Sequence, residues 1–223
     1  MRKNFLKLVV VGIAFVTLVG ATFFARGELR ALTELSRDLR TVYAQASENG
    51  SVYSNSYSGF SQSKQMETCL SMQLSIVSAL FPTENRAAVA NACLQRADEI
   101  IAVSPAESLA YVAKGASLAN LRDYAAARES LAIARQIAPN EGWQAALRSQ
   151  LAFYIDRFDD SYLDESDADD LRLMLQGYQQ LDVLVALYNR NTARQPFIVA
   201  ALENEPGDLQ RRFLNRLRST ITN

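Results

Sequence analysis

The sequence predicts an all-α protein in which one apolar helix at the amino terminus is followed by a solenoid of paired helices. Three observations indicate this fold class: an uncharged amino-terminal segment, a helix-turn-helix unit at residues 108–141, and apolar residues at helical spacing elsewhere. We divide the 223 residues into four parts. They are an apolar segment at 1–27, a polar helix at 28–47, a linker at 48–64 and an α-helical domain at 65–223.

The first element is the uncharged segment at residues 8–25. As a helix it spans about 27 Å, close to the hydrocarbon thickness of a bilayer. Arg2, Lys3 and Lys7 precede it, as is typical of an exported chain. We favour a retained membrane anchor because apolar sequence continues beyond Ala21. A signal peptide cleaved after that residue, or a buried core helix, stays an alternative.

The orientation of this segment follows less directly from charge. Arg26, Arg30, Arg37 and Arg40 lie behind it and offset the basic residues in front, so the positive-inside rule does not decide. The exported start predicts a single-pass protein of the inner, cytoplasmic membrane, with its carboxy-terminal domain in the periplasm or otherwise outside the cytoplasm.

Two elements follow the apolar segment. Residues 28–47 form a polar helix that continues the membrane helix or pairs with a partner helix. Its apolar side consists of Leu29, Leu32, Leu35, Leu39 and Tyr43. Residues 48–64 are rich in Ser, Tyr, Asn and Gly, a composition that favours a flexible linker.

The two cysteines predict a covalent clamp on the next helices. Cys69 and Cys93 flank a turn near residues 81–85, so two antiparallel helices place them at the same level. A disulfide there is favoured in an oxidising compartment and stabilises by about 3 kcal/mol. The alternative is two reduced, buried thiols. With no histidine and only these two thiols in the chain, a zinc site is not expected.

Residues 108–141 predict a complete helical hairpin. One apolar face carries Tyr111, Gly115 and Leu118, and the other carries Ala127, Leu131 and Ala134. Gly115 costs about 1 kcal/mol of helix propensity relative to Ala, so we expect close approach of the second helix at Ala127. Asp123 is placed to cap that helix, and Pro139 ends it.

This unit resembles the tetratricopeptide repeat, a 34-residue helical hairpin. The residues that match its landmarks are Tyr111, Gly115, Tyr124, Ala127, Ala134 and Pro139. Since such units need neighbours, residues 85–103 are expected to complete a preceding repeat, and 141–155 to begin a following one. The next strong helix is expected at 166–188.

The resemblance implies a partner-binding surface on the inner face of the first helix. In this chain the corresponding positions are Leu109, Val112, Ala116, Ala119 and Asn120. They are mostly small and apolar, and the lysine and asparagine set that clamps a peptide carboxylate in some relatives is missing. We therefore expect a helix or apolar segment as ligand, or the next helix of this chain in the groove.

Charge patterns support neither catalysis nor cofactor binding. Eight acidic residues at 156–170 invite a calcium hypothesis, but their order does not fit an EF-hand, and we interpret the stretch as a solvated loop. The last helix carries Arg211, Arg212, Arg216 and Arg218, on a solvated face, against the acidic loop or at lipid headgroups. Without histidine or a glycine-rich phosphate loop, we expect no enzyme, and the net charge of −1 gives no support to nucleic-acid binding.

Two function classes remain in competition. The first is a membrane-anchored scaffold or assembly factor that binds another envelope or membrane protein of a bacterial cell. The second is an accessory subunit whose membrane helix binds a larger integral complex. A third and weaker hypothesis is a factor in envelope polysaccharide or cell-wall biogenesis.

Overall fold

The computed structural model describes the backbone of residues 2–35, 37–54, 56–159 and 162–221, which form eleven α-helices and no β-strand. Asn55 in the predicted linker and Asp160 in the acidic stretch lie outside the described residues. The helices are α1 (Arg2–Glu34), α2 (Leu39–Asn49), α3 (Gly59–Leu74), α4 (Thr83–Val103), α5 (Ser108–Asn120), α6 (Tyr124–Ile137), α7 (Gly142–Ile155), α8 (Glu165–Gln176), α9 (Tyr178–Arg190), α10 (Gln195–Leu202) and α11 (Gly207–Ile221). The predicted all-α fold class is confirmed.

The amino-terminal helix α1 is long and apolar enough to cross a membrane. Its part from Gly12 to Glu34 has a mean hydropathy of 1.3 in its most apolar window, and none of that window is buried in the protein. The side chains of residues 8–11 lie outside the described residues. Length and composition fit a retained anchor and a signal sequence equally well.

Helices α5 and α6 form the predicted hairpin. A Cβ atom built on Gly115 would lie 3.3 Å from the carbonyl oxygen of Ala127, so the glycine permits the close approach of the two helices. The side chain of Asp123 accepts a hydrogen bond from the backbone N–H of Ala126 at 3.1 Å and caps α6. Arg122 makes the turn in the left-handed region, with φ of 67°.

A second hairpin, α3 and α4, precedes this unit. Cys69 on α3 and Cys93 on α4 are fully buried and lie at disulfide distance, with their Cα atoms 5.9 Å apart. A short 3₁₀ helix, Ile76–Leu80, separates the two helices and ends just before Pro82. The repeat that residues 85–103 are expected to complete therefore has a whole first helix, α3. This helix ends at Leu74, well before the turn near residues 81–85.

The helix expected at residues 166–188 is two helices. Gly177 has an extended ψ of 142° and separates α8 from α9. Because glycine has low helix propensity, a break here costs little and lets α9 pack against both α8 and α7. The apolar periodicity continues across the break, so spacing alone does not reveal it.

The elements between the apolar segment and the domain are also more ordered than their composition suggests. The polar helix predicted at 28–47 is divided between α1 and α2, and Asp38 caps α2. Residues 51–54 and 56–58, which we call the strap, include buried Val52 and Tyr53. Since α3 begins at Gly59, the domain starts inside the segment predicted as a flexible linker.

The domain has two apolar cores that share α7. The first core lies among α2 to α7 and receives Leu151, Ala152 and Ile155 from α7. The second lies among α7 to α11 and receives Ala146 and Phe153, which lie on the side of α7 away from Leu151 and Ile155. Helix α7 is therefore buried on two sides and joins the two halves of the domain.

Candidate functional site

The junction between α1 and the domain centres on the carboxylate of Glu28, just beyond the apolar segment. It accepts hydrogen bonds from the backbone N–H of Tyr57 and Ser58 at 2.5 and 2.8 Å, and from the hydroxyls of Ser58 and Ser61 at 2.7 and 2.5 Å. Partial burial opposes the charge, but these hydrogen bonds outweigh it and lower the pKa of Glu28 to about 2. The carboxylate thus holds the strap and the start of α3 to α1.

A second glutamate fixes the end of α1. The carboxylate of Glu34 accepts hydrogen bonds from the backbone N–H and the hydroxyl of Ser54, both at 2.7 Å, and pairs with Arg30 and Arg37 at 3.3 and 3.5 Å. Ala31, between the two glutamates, is completely buried. One face of α1 is therefore part of the domain over its last two turns.

The two contacts determine the direction of the domain relative to α1. Glu28 reaches Ser61, whereas Glu34 binds Ser54, whose carbonyl accepts a hydrogen bond from Gln65 at 3.1 Å. Ser61 and Gln65 both belong to α3, so α1 and α3 run in the same direction between the two contacts. The first turn of α3 consequently lies toward the apolar part of α1, and its end points away.

The first turns of α3, α5 and α7 lie on the same side of the domain. Ser63 near the start of α3 contacts Glu107 before α5 at 3.5 Å, and Ser108 contacts Gln144 at the start of α7 at 2.5 Å. We call this side, with the starts of α3, α5 and α7, the proximal edge. The opposite side, with the α3–α4 and α5–α6 connections and the end of α7, is the distal edge.

The predicted partner-binding face lies inside the domain. Leu109, Val112 and Ala116 are completely buried, and Ala119 is 2% exposed. Helices α3 and α7 flank α5 and also contact each other. The protein's own helices therefore occupy the groove that the resemblance assigned to a ligand. The chain fills it with the preceding helix α3 as well as the following helix.

Asn120 is the one predicted position that stays partly exposed, and it belongs to an aromatic cluster at the distal edge. Its side-chain oxygen faces the hydroxyl of Tyr154 at 3.4 Å. The ring of Phe158 stacks on Tyr124 with centroids 6.1 Å apart and meets Tyr154 edge-on at 5.5 Å. Phe158 is nevertheless 54% exposed, so the cluster presents an aromatic face to its surroundings.

Three arginines lie near the hydroxyl of Tyr154 in this cluster. Burial raises the pKa of the Tyr154 hydroxyl, while the nearby charges of Arg86, Arg122 and Arg157 act in the opposite direction. Arg122 and Arg157 are exposed. The Nε atom of Arg86 is buried and has no hydrogen-bond partner among the described residues. We call these seven residues the distal patch: Arg86, Asn120, Arg122, Tyr124, Tyr154, Arg157 and Phe158.

The acidic stretch is bound by arginines of neighbouring helices. Asp170, 2% exposed, accepts hydrogen bonds from Arg148 at 2.6 and 3.0 Å and from Arg135 at 2.8 Å. Arg135 also contacts Asp167 at 3.1 Å. Among the described residues no group of three or more acidic or thiol side chains is arranged to hold a metal ion. These carboxylates fasten α8 to α6 and α7.

The basic last helix pairs within its own half of the domain. Arg216 bonds Asp182 on α9 at 2.5 and 2.9 Å, and both side chains are about half exposed. Arg212 donates to the carbonyl of Leu175 at 2.7 Å. Arg212 and Arg216 thus help to hold α11 against the end of α8 and against α9.

Sequence reasoning missed both the junction and most of the distal patch. Glu28 and Ser61 are 33 positions apart, and Arg86 is distant in sequence from Phe158, so no local pattern links them. The one available signal was Ser58, a good capping residue placed before a run with helical spacing.

The chain matches no protein-family model, and no curated protein or solved structure is significantly similar to it. The likeness of residues 108–141 to the tetratricopeptide repeat therefore stays a prediction about ancestry. Any functional conclusion depends on the geometry of α1, the junction and the distal patch.

Proposed function

We propose that this protein is a membrane-anchored scaffold or assembly factor, which holds a protein partner at a fixed position relative to the membrane of a bacterial cell. One observation carries this proposal: α1 runs without interruption from the apolar segment to Glu34, and Glu28 and Glu34 bind its end to the domain. A helix joined in this way transmits the position of the anchor to the domain, which a flexible linker does not.

The location proposed for the domain is the periplasmic or outer side of the cytoplasmic membrane. Cys69 and Cys93 at disulfide distance support this location, because disulfides persist in oxidising compartments. The short basic head before the apolar segment supports the same orientation. The proposed role is non-catalytic, since the chain has no histidine to act as the commonest general base.

The distal patch is the surface proposed to bind the partner. The inner face is occupied by α3 and α7, whereas Phe158 is exposed beside Arg122 and Arg157. Aromatic and arginine side chains are enriched at the energetically important centres of protein interfaces. The chemistry fits a protein segment that carries carboxylates and at least one apolar side chain.

Site-specific photocrosslinking in intact membranes tests the proposal. A photoreactive amino acid is placed singly at Phe158 in the distal patch, at Tyr178 as an 80% exposed control, and at Val16 on α1. We expect a crosslinked partner from position 158 and none from position 178. Arg157→Glu should lower that yield about tenfold through charge repulsion, while Arg211→Glu, an exposed arginine elsewhere, should not.

The second candidate is an accessory subunit that binds an integral membrane complex through α1. The exposure of apolar side chains along α1, such as Val16 at 70% and Phe23 at 67%, favours it. Crosslinks from Val16 alone would support this candidate and contradict the scaffold. Crosslinks only between copies of this chain would contradict both.

A further inference from the structure

We propose that the first turn of α3 lies in the headgroup region of the bilayer, so that the proximal edge of the domain rests on the membrane surface. The residues that carry this contact are Tyr57 and Phe60, and the partner is the lipid interface itself. The inference depends on the proposed membrane anchor and adds a defined orientation to it.

The first argument is a direct contact between the strap and the apolar segment. The ring of Tyr57 meets Phe24 edge-on, with centroids 4.9 Å apart. A Cβ atom built on Gly27 would lie 2.9 Å from Tyr57, so the glycine permits the ring to lie against α1. Phe24 belongs to the uncharged segment at 8–25, and Tyr57 therefore sits where that segment leaves the hydrocarbon.

The second argument is direction. Between Glu28 and Glu34, α1 and α3 run in the same direction. The residues of α3 that precede Ser61 therefore lie on the side of the bilayer. Phe60 lies in this turn and is 65% exposed, and Tyr57 is 50% exposed. Exposed aromatic side chains beside the end of a membrane helix are typical of the interface, where one part of the ring is apolar and the surroundings are wet.

The proximal edge continues this exposed apolar surface away from α1. Val103 at the end of α4 and Trp143 at the start of α7 are 72% and 41% exposed. Both lie at helix ends on the side of Ser63 and Ser108, whose contacts define that edge. A surface of this kind would otherwise leave four large apolar side chains in water.

Charge identifies the kind of lipid surface. Glu107 and Glu141 lie at the same edge and are repelled by anionic headgroups, whereas Arg26 and Arg30 on α1 are attracted. These opposite signs give no strong net attraction to charged lipid. The contact is therefore apolar and does not require anionic lipid, so zwitterionic vesicles are a sufficient probe.

The chain has a single tryptophan, which permits a fluorescence test on the full-length protein in phosphatidylcholine vesicles. The native residue is removed by Trp143→Phe, and one tryptophan is restored by Phe60→Trp at the proximal edge or by Leu80→Trp at the distal edge. Leu80 is a matched control because it is 81% exposed and follows the opposite end of α3. Lipids brominated near the headgroup end of the acyl chain quench tryptophans at the depth that interfacial side chains reach.

We expect brominated lipid to lower the emission of the tryptophan at position 60 about twofold or more, and to leave that at position 80 within about a tenth of its value in ordinary lipid. Equal quenching at both positions, or none at position 60, would overturn the inference. Alkaline extraction of the same vesicles separates the two proposals. Chain that is retained but not quenched overturns only the orientation, whereas chain that is released overturns the anchor and the orientation together.

Discussion

The two cores of the domain are held together by different means. The first, among α2 to α7, is closed by small residues at the α5–α6 contact and by the Cys69–Cys93 pair. The second, among α7 to α11, contains no cysteine and consists largely of Leu and Ala side chains, together with Phe153 and Phe213. Besides the shared helix α7, ion pairs of Asp170 on α8 with Arg148 on α7 and with Arg135 on α6 join it to the first half. The half of the domain next to α1 is thus closed by the cysteine pair, and the far half is joined to it by a buried ion pair.

The two cores should therefore respond to different conditions. The disulfide ties the stability of the first core to an oxidising compartment. The ion pair joins α8 to α7, and because both side chains are buried, the loss of one partner would leave the other charge without water. Four changes test this comparison.

The largest effect is expected from Arg148→Ala. Arg148 is completely buried and is a main partner of Asp170, so its loss leaves a buried carboxylate served only by Arg135. Breaking one side of a buried pair costs about 3–5 kcal/mol. Denaturant unfolding of the full-length chain in detergent measures it. Arg216→Ala removes a half-exposed pair with Asp182, which water screens, so its loss should change the free energy of unfolding far less. Equal losses in the two variants would contradict the role of burial.

The next effect is expected from Cys69→Ala combined with Cys93→Ala. Removing a crosslink across 24 residues should lower the free energy of unfolding by about 3 kcal/mol. Hydrogen exchange should show lost protection in α3 and α4, while α9 in the second core keeps its protection. Chemical reduction of the unchanged chain is the control and should give the same pattern. A uniform loss across both cores would show that they do not respond separately.

A smaller effect is expected at the α5–α6 contact. Gly115→Val places methyl groups against the carbonyl of Ala127 and the side chain of Leu151, and overpacking of this kind costs about 1–3 kcal/mol. Gly115→Ala should be nearly neutral, because about 1 kcal/mol of helix propensity offsets the tight contact. Gly59 has no atom within 4 Å of a built Cβ, so Gly59→Ala tests helix propensity without the contact. A harmless valine at position 115 would refute close approach as the reason for the glycine.

The smallest effect is expected at the junction, where Glu28→Gln keeps the shape but removes the charge. Hydrogen bonds to a charged acceptor are stronger than those to a neutral one, so the backbone amides of Tyr57 and Ser58 should exchange about tenfold faster. Hydrogen exchange with mass spectrometry measures this on the full-length chain. The α8 amides in the second core serve as the internal control and should not change.

The same glutamate predicts a pH dependence. The pKa of Glu28 lies at about 2 in the folded protein and at 4.5 when the group is free. A lowered pKa contributes stability that is complete above the free value and is lost as the pH falls from about 4.5 toward 2. Protection of the strap in the unchanged chain should fall in this window. The Glu28→Gln variant should show no such step, and an identical pH profile in both chains would exclude Glu28 as its origin.

Local patterns in the sequence explain what could be predicted. The α5–α6 hairpin follows from Gly115, Ala127 and Asp123, which lie within one short segment and act on each other directly. The cysteine pair follows from two helices around one turn. In each case the interacting residues are close in sequence, so spacing and chemistry together specify the contact.

The remaining features depend on residues that are far apart in sequence. Leu109 and Val112 carry the pattern of an inner face, but the groove is closed by α3, which lies more than 30 residues earlier. Likewise, the serine-rich strap has the composition of a flexible linker, yet Glu28 and Glu34 give its polar groups fixed partners. The composition of a segment indicates how it behaves in water, but it does not indicate which hydrogen-bond partners a distant segment provides.

By itself, the sequence determined the helical class, the apolar leading helix and the central hairpin, because helix periodicity and hydrophobic length are properties of consecutive residues. Only the tertiary structure decided that the predicted groove is filled, that α1 is bound to the start of α3, and that three arginines lie near Tyr154 at the distal edge. These outcomes depend on contacts between residues that are far apart in sequence. A buried charge needs a hydrogen-bond or ion-pair partner, and an apolar groove needs an apolar surface to cover it, and either can come from any part of the chain.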